Sequence, residues 1–168
     1  MTDAFPPNPF LTEILPQLAG GAAHTQALGF RLESVEGKIV RLRTPWRDDL
    51  VGDPDRGVLA GGLVTTMLDH VGGLATWVAL GGFQTIATLD LRVDYMRASR
   101  PKTDLLAEAH CYRLTRNIAF VRAWAFEADT ADGPDDPVAA AQSAYVITEN
   151  ASHRIGANLK PRSEGAGR

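Results

Sequence analysis

A chain of 168 residues with 45% hydrophobic and 22% charged side chains can build one ordinary core, and is neither a disordered segment nor a small scaffold in need of disulfides. Its net charge of −3, from 17 Lys and Arg against 20 Asp and Glu, offers no basic surface for nucleic acid. The single cysteine, Cys111, excludes an intramolecular disulfide and a cysteine-held metal cluster, and falls in a strand-like run where a buried inert thiol is expected.

The N-terminal residues MTDAFPPNPF lack the basic and apolar regions of a secretion signal, so the cytoplasm is the expected compartment. Residues before Pro9 are expected to be loose. Residues 1–29 read as an extension with short helices at 11–18 and 22–28, stopped at Gly29. Residues 30–35 and 38–43 read as strands joined at Glu36-Gly37. Residues 48–57, DDLVGDPDRG, are dense in Asp, Gly and Pro and are expected to be loop. Next comes residues 59–80, LAGGLVTTMLDHVGGLATWVAL, apolar almost throughout. Its length would suit a membrane span, but an Asp, a His, three Thr and four Gly favour the core helix of a soluble protein, with no membrane partner. This helix should stop at Gly81-Gly82.

Four strands follow. In the first, Leu89, Leu91, Val93 and Tyr95 alternate with Asp90, Arg92, Asp94 and Met96, a half-buried pattern. The others span residues 105–114, 118–126 and 138–147. Two strands, one long helix and four closely spaced strands leave no room for crossover helices. They predict an α+β fold, an antiparallel sheet wrapped around one central helix. One domain occupies residues 30–149, and residues 150–168 form a tail expected to be flexible.

The central helix carries the chemistry. At helical spacing Leu63, Met67, Val71, Leu74 and Val78 make one apolar face. Gly62, Thr65, Thr66, Asp69, Gly72, Gly73 and Thr76 make a second face of small and hydroxyl side chains. An ionised acid at Asp69 is costly there unless something pairs with it or needs it. A lone acid can serve structure alone, by capping a loop or bonding amides. Two features argue for a site instead. Gly61 and Gly62 open the helix, where free amides and the positive dipole end suit a developing oxyanion, and Thr88 on the following strand supplies a hydroxyl. His70 points about 100° away from Asp69 and reads as a core or interface histidine. His24, His110 and His153 have no metal-like spacing.

These residues resemble the hotdog-fold thioesterases of the phenylacetate-degradation (PaaI-like) and 4-hydroxybenzoyl-CoA thioesterase type. That pattern has a His-Gly-Gly helix start, an acid seven residues after the second Gly, and a downstream strand ending in an aromatic beside a basic residue. Here it stands as Ala60-Gly61-Gly62, Asp69, and TLDLRVDYMR at 88–97, and the resemblance covers residues 50–147. Two positions depart from it. Ala60 replaces the usual His, and the loop Asn that helps to place water is replaced around Asp53-Pro54.

The resemblance implies hydrolysis of an acyl-CoA thioester, with no metal and no cofactor. The Gly61 amide would hold the oxyanion, Asp69 would act as general base or as nucleophile, and Thr88 would orient water or the carboxylate. Gly62 and Thr66 would line the substrate site. Arg97 and Arg116, with Arg100 and Lys102 beside them, are candidate cations for the phosphates of CoA. Eight residues separate Gly61 from Asp69, about 12 Å of helix rise, so one helix cannot bring both to one carbonyl. The resemblance implies a homodimer with sites at its interface, or two such dimers as a homotetramer. Two other readings share the fold: a non-catalytic acyl-CoA-binding module, which has no need of the Gly61/Asp69 pair, and a hydratase, which needs a His in the site.

Overall fold

The computed structural model describes residues 8–130 and 132–148. The expected loose N-terminus, apart from Asn8, and the tail at 150–168 lie outside them. A π-helical turn at Phe10–Ile14 leads into α1 (Leu15–Gly20) and α2 (Ala23–Ala27). Leu15 and Ala19 are fully buried, so this segment joins the main core. Strands β1 (Arg31–Glu36) and β2 (Ile39–Thr44) form a hairpin turning through Gly37. The long helix α3 runs Gly61–Leu80, followed by β5 (Thr85–Tyr95), β6 (Leu105–Leu114), β7 (Ile118–Glu127) and β8 (Ala139–Thr148).

The six long strands make one antiparallel sheet in the order β1-β2-β6-β7-β8-β5. Period-two alternation turns Ala107 and Ala109 of β6, Val121 and Ala123 of β7 and Ala139 and Ala141 of β8 inward, all buried. These small side chains let a helix come close. Into that hollow α3 places Leu63, Val64, Met67, Leu68, Val71 and Leu74, each at most 5% exposed. A helix with the length and composition of a membrane span is thus the core of a sheet. It stops where expected: Gly81 takes the left-handed conformation at φ 70°, and its N–H reaches back to the carbonyls of Trp77 and Val78.

Two expectations need correction. Residues 48–57 are not plain loop. A 3-10 turn at Asp48–Leu50 leads into β3 (Val51–Asp53), which pairs with β4 (Val58–Leu59) in a small separate ladder. Val51, Val58 and Leu59 are strand-forming residues around a tight Asp-Pro turn, too few for the pattern to stand out. Alternation along β5 also breaks. Pairing with β8 shifts register between Thr88 and Asp90, so Leu89 is bulged outward and 61% exposed. Ile86 and Thr88 before the bulge, and Tyr95 beyond it, therefore all reach the helix side.

Candidate active site

The bulge sets the site. With Thr88 turned toward α3, its hydroxyl donates to Oδ1 of the half-buried Asp69 at 2.8 Å. The residue directly across the ladder from Thr88 is Tyr145. Its phenol donates to the Asp69 main-chain carbonyl at 2.7 Å and stands 3.3 Å from Oδ1. Burial pushes the Tyr145 phenol well above its ordinary pKa, and the Asp69 charge pushes the same way, so it remains a donor at neutral pH. Asp69, Gly73, Trp77, Ile86, Thr88 and Tyr145 line a cleft of about 210 Å³. A larger groove of about 780 Å³ runs between α1 and β1, but its walls, such as Leu18, Phe30, Arg31 and Leu32, hold no acid or hydroxyl. The acid and the hydroxyls line the smaller cleft.

At its other end, α3 begins without a side-chain cap. The Ala60 carbonyl takes the N–H groups of Leu63 and Val64, and those of exposed Gly61 and Gly62 have no partner among the described residues. The backbone leading to them is pinned: Leu59 N–H donates to the buried Ser99 hydroxyl at 3.1 Å and Ala60 N–H to the Leu50 carbonyl at 3.0 Å. Tyr95, at the end of β5, donates to the Gly61 carbonyl at 2.6 Å and bonds the Thr65 hydroxyl. The structure thus offers a fixed carboxylate and a pair of free amides on one helix, two turns apart.

The other candidates fall differently. Thr66 donates its hydroxyl to the Gly62 carbonyl at 2.8 Å, within the helix. His70 turns toward α1, with Nε2 against the Ala19 carbonyl at 2.9 Å and its ring stacked on Phe30. Burial lowers its pKa, so the neutral ring is favoured; the residue also borders the cleft. Arg116 is exposed in the turn between β6 and β7. The expectation of a phosphate-binding Arg97 is corrected. Its five N–H donors go to Glu127 at 2.6 and 2.8 Å, to the Asp136 side chain and carbonyl at 3.1 and 2.8 Å, and to the Ala98 carbonyl at 3.3 Å. No donor is left for a ligand. Arg100 binds Asp129 through its side chain at 2.7 Å. Among the described residues no group of three or more His, Cys, Asp and Glu could hold a metal ion.

Tyr145 escaped the sequence reading, and Tyr95 entered it only as the aromatic that ends its strand, without its bond to the Gly61 carbonyl. A signal existed for Tyr145, a phenol on the inward parity of β8 among Ala139, Ala141 and Ser143. Its target four strand-and-helix elements away, on α3, was not visible in the pattern.

Comparison with known proteins agrees with this fold. Residues 56–133 match the model of the Thioesterase superfamily. A Halobacterium salinarum protein named as a putative esterase is 33% identical over 124 residues, 71% of this chain and 81% of the relative. A crystal structure from Pseudomonas aeruginosa superposes with a TM-score of 0.71 at 35% identity, covering 81% of this chain and 98% of that one. A point variant of the phenylacetic acid degradation protein PaaI from Thermus thermophilus shares the fold, with a TM-score of 0.62 at 21% identity over 74% of this chain and 98% of its own.

Proposed function

Because the chain belongs to the hotdog-fold thioesterase superfamily, we propose that it hydrolyses an acyl- or aryl-CoA thioester to free acid and CoA, using Asp69 and the Gly61 amide. Thioesterase-type hydrolysis comes with that membership; the CoA substrate and the residue roles are the proposal. The observation that carries it is Asp69, a carboxylate in the middle of an apolar helix, held by Thr88 at 2.8 Å on the wall of a cleft. Such a group is retained where it is needed, because its partners only reduce the cost of burying it.

Two routes use the same atoms. As general base, Asp69 takes a proton from water while the water oxygen bonds the thioester carbon. As nucleophile, Asp69 bonds that carbon itself, and water then cleaves the mixed anhydride. Either way the carbonyl oxygen becomes an oxyanion held by the Gly61 N–H, the C–S bond breaks, and the thiolate leaves and is protonated.

The Gly61 that serves a given Asp69 is assigned to a second copy of the chain. Within one helix the two stand about 12 Å apart, whereas both must approach the same carbonyl group to about 3 Å. The unpaired outer edge of β5 supports a homodimer, since an open edge with exposed Leu89 and Met96 calls for cover. Two such dimers would give the homotetramer.

A panel of acyl-CoAs, followed by release of free thiol, tests the reading. The wild-type chain should turn over at least one class. Asp69→Asn keeps the volume and removes the base, so turnover should fall by about 10² or more with the fold intact by circular dichroism. Thiol release at the wild-type rate from Asp69→Asn would remove the catalytic assignment.

A further inference from the structure

Tyr145 is the one large aromatic on the inward face of β8, where its neighbours two and four residues earlier are Ser143 and Ala141. At 2% exposure it is buried to its tip. The tip fits only because position 72 is glycine: a Cβ there would run into the phenol oxygen. A glycine inside a helix is unfavourable compared with alanine. The fold accepts that cost and gains a phenol on Asp69. The Asp69 carbonyl is a helix carbonyl, able to accept from the N–H four residues on without the phenol, so the helix does not require this bond.

What the bond does is join two parts of one residue. The phenol spans the Asp69 carbonyl at 2.7 Å and Oδ1 at 3.3 Å, while Thr88 donates to the same Oδ1. Oδ2 has no protein partner among the described residues. We infer that Tyr145 is a positioning residue for the reaction, fixing the Asp69 side chain through its carbonyl and Oδ1 so that Oδ2 is the oxygen that acts. The inference rests on Asp69 being the acting carboxylate, as proposed above.

Tyr145→Phe removes the hydroxyl and keeps the ring. Turnover is followed on whichever thioester or p-nitrophenyl ester the wild-type chain cleaves fastest, so the result does not depend on CoA. The kcat should fall about tenfold or more, as expected for a misplaced catalytic group, with KM unchanged and the fold and oligomer intact. In an Asp69→Asn chain the same change should leave the residual rate where it was, because there is no carboxylate to position. Gly72→Ala, which pushes the phenol aside without removing it, should show the same dependence on Asp69 and serves if Tyr145→Phe folds poorly. An unchanged kcat in folded Tyr145→Phe, or an equal loss in both Asp69 backgrounds, would overturn the inference and leave Asp69 in its role. A wild-type rate in Asp69→Asn would remove the proposed role and this inference together.

Discussion

Two hydroxyls on one carboxylate, and a phenol on each of two helix carbonyls, are small interactions. Each hydrogen bond to a charged group contributes about 1.5–3 kcal/mol, and an ordinary one about 1. Their value at Asp69 and Gly61 is geometric. The first turn of α3 has no side-chain cap, and its Gly61 carbonyl is held by Tyr95 at 2.6 Å, so the free Gly61 N–H has little freedom to turn. A Cβ on Gly61 would sit 3.4 Å from the Tyr95 oxygen, ordinary contact, so Gly61→Ala should fold and keep most of its activity. Gly61→Pro deletes the N–H at a position where proline suits a helix. Its kcat should fall by roughly 10²–10³, the cost of one oxyanion donor. Steady-state kinetics on both variants, with circular dichroism as the check on folding, decides it: equal rates would argue against an oxyanion role for the amide.

At the level of elements, the helix from residue 61 to 80 was legible because its signals agree: an apolar run, a Gly pair at one end and Gly81 at the other. Asp69 and Gly61 stand out as candidates, a lone acid and a glycine in that apolar run, and Thr88 as a hydroxyl on the strand that follows. Their partners do not. Thr88 reaches Asp69 only through the bulge at Leu89, which is a property of the β5–β8 pairing and leaves no mark on β5 alone. Arg97 read as a free cation because its anchor, Glu127, lies thirty residues on. That anchor is fully buried. Burial pushes the Glu127 carboxyl up, but the Arg97 fork and the Arg100 amide outweigh it and hold the pKa to about 2. The pair fixes the segment carrying Ser99, which in turn holds Leu59 just before the free amides. Because the folded pKa lies below the unfolded value of about 4.5, the stabilisation is present above pH 4.5 and lost as pH falls toward 2. The shift corresponds to roughly 3 kcal/mol. Urea midpoints should therefore drop across that window in the wild-type chain. Glu127→Gln should be less stable at pH 7 and should show a flatter profile between pH 4.5 and 2; an unchanged profile would mean that Glu127 does not carry the acid limb.

For the whole molecule, one fold has to serve two ends of one helix. The sheet closes around α3 on its apolar side and leaves β5 as an open edge, with Asp69 near the start of that strand and Gly61 near its end. A two-fold axis beside that edge would run the two copies of α3 antiparallel, setting Gly61 of one chain opposite Asp69 of the other. The glycine and threonine stripe of α3 would then serve close approach of the second copy as well as the substrate. The arrangement has a consequence that no single-chain site shares. Gly61→Pro and Asp69→Asn, each slowed about 10²-fold or more alone, should complement each other when co-refolded. In a mixed dimer one site draws its amide from the Asp69→Asn chain and its carboxylate from the Gly61→Pro chain, while the other site has neither. Such dimers should recover up to about half of the wild-type dimer's activity if the two sites work independently. Light scattering gives the oligomer, and a tag on one variant isolates the mixed species for thiol-release assays. No recovery, with mixed dimers shown to have formed, would place both groups within one chain and require the substrate to reach them by another path.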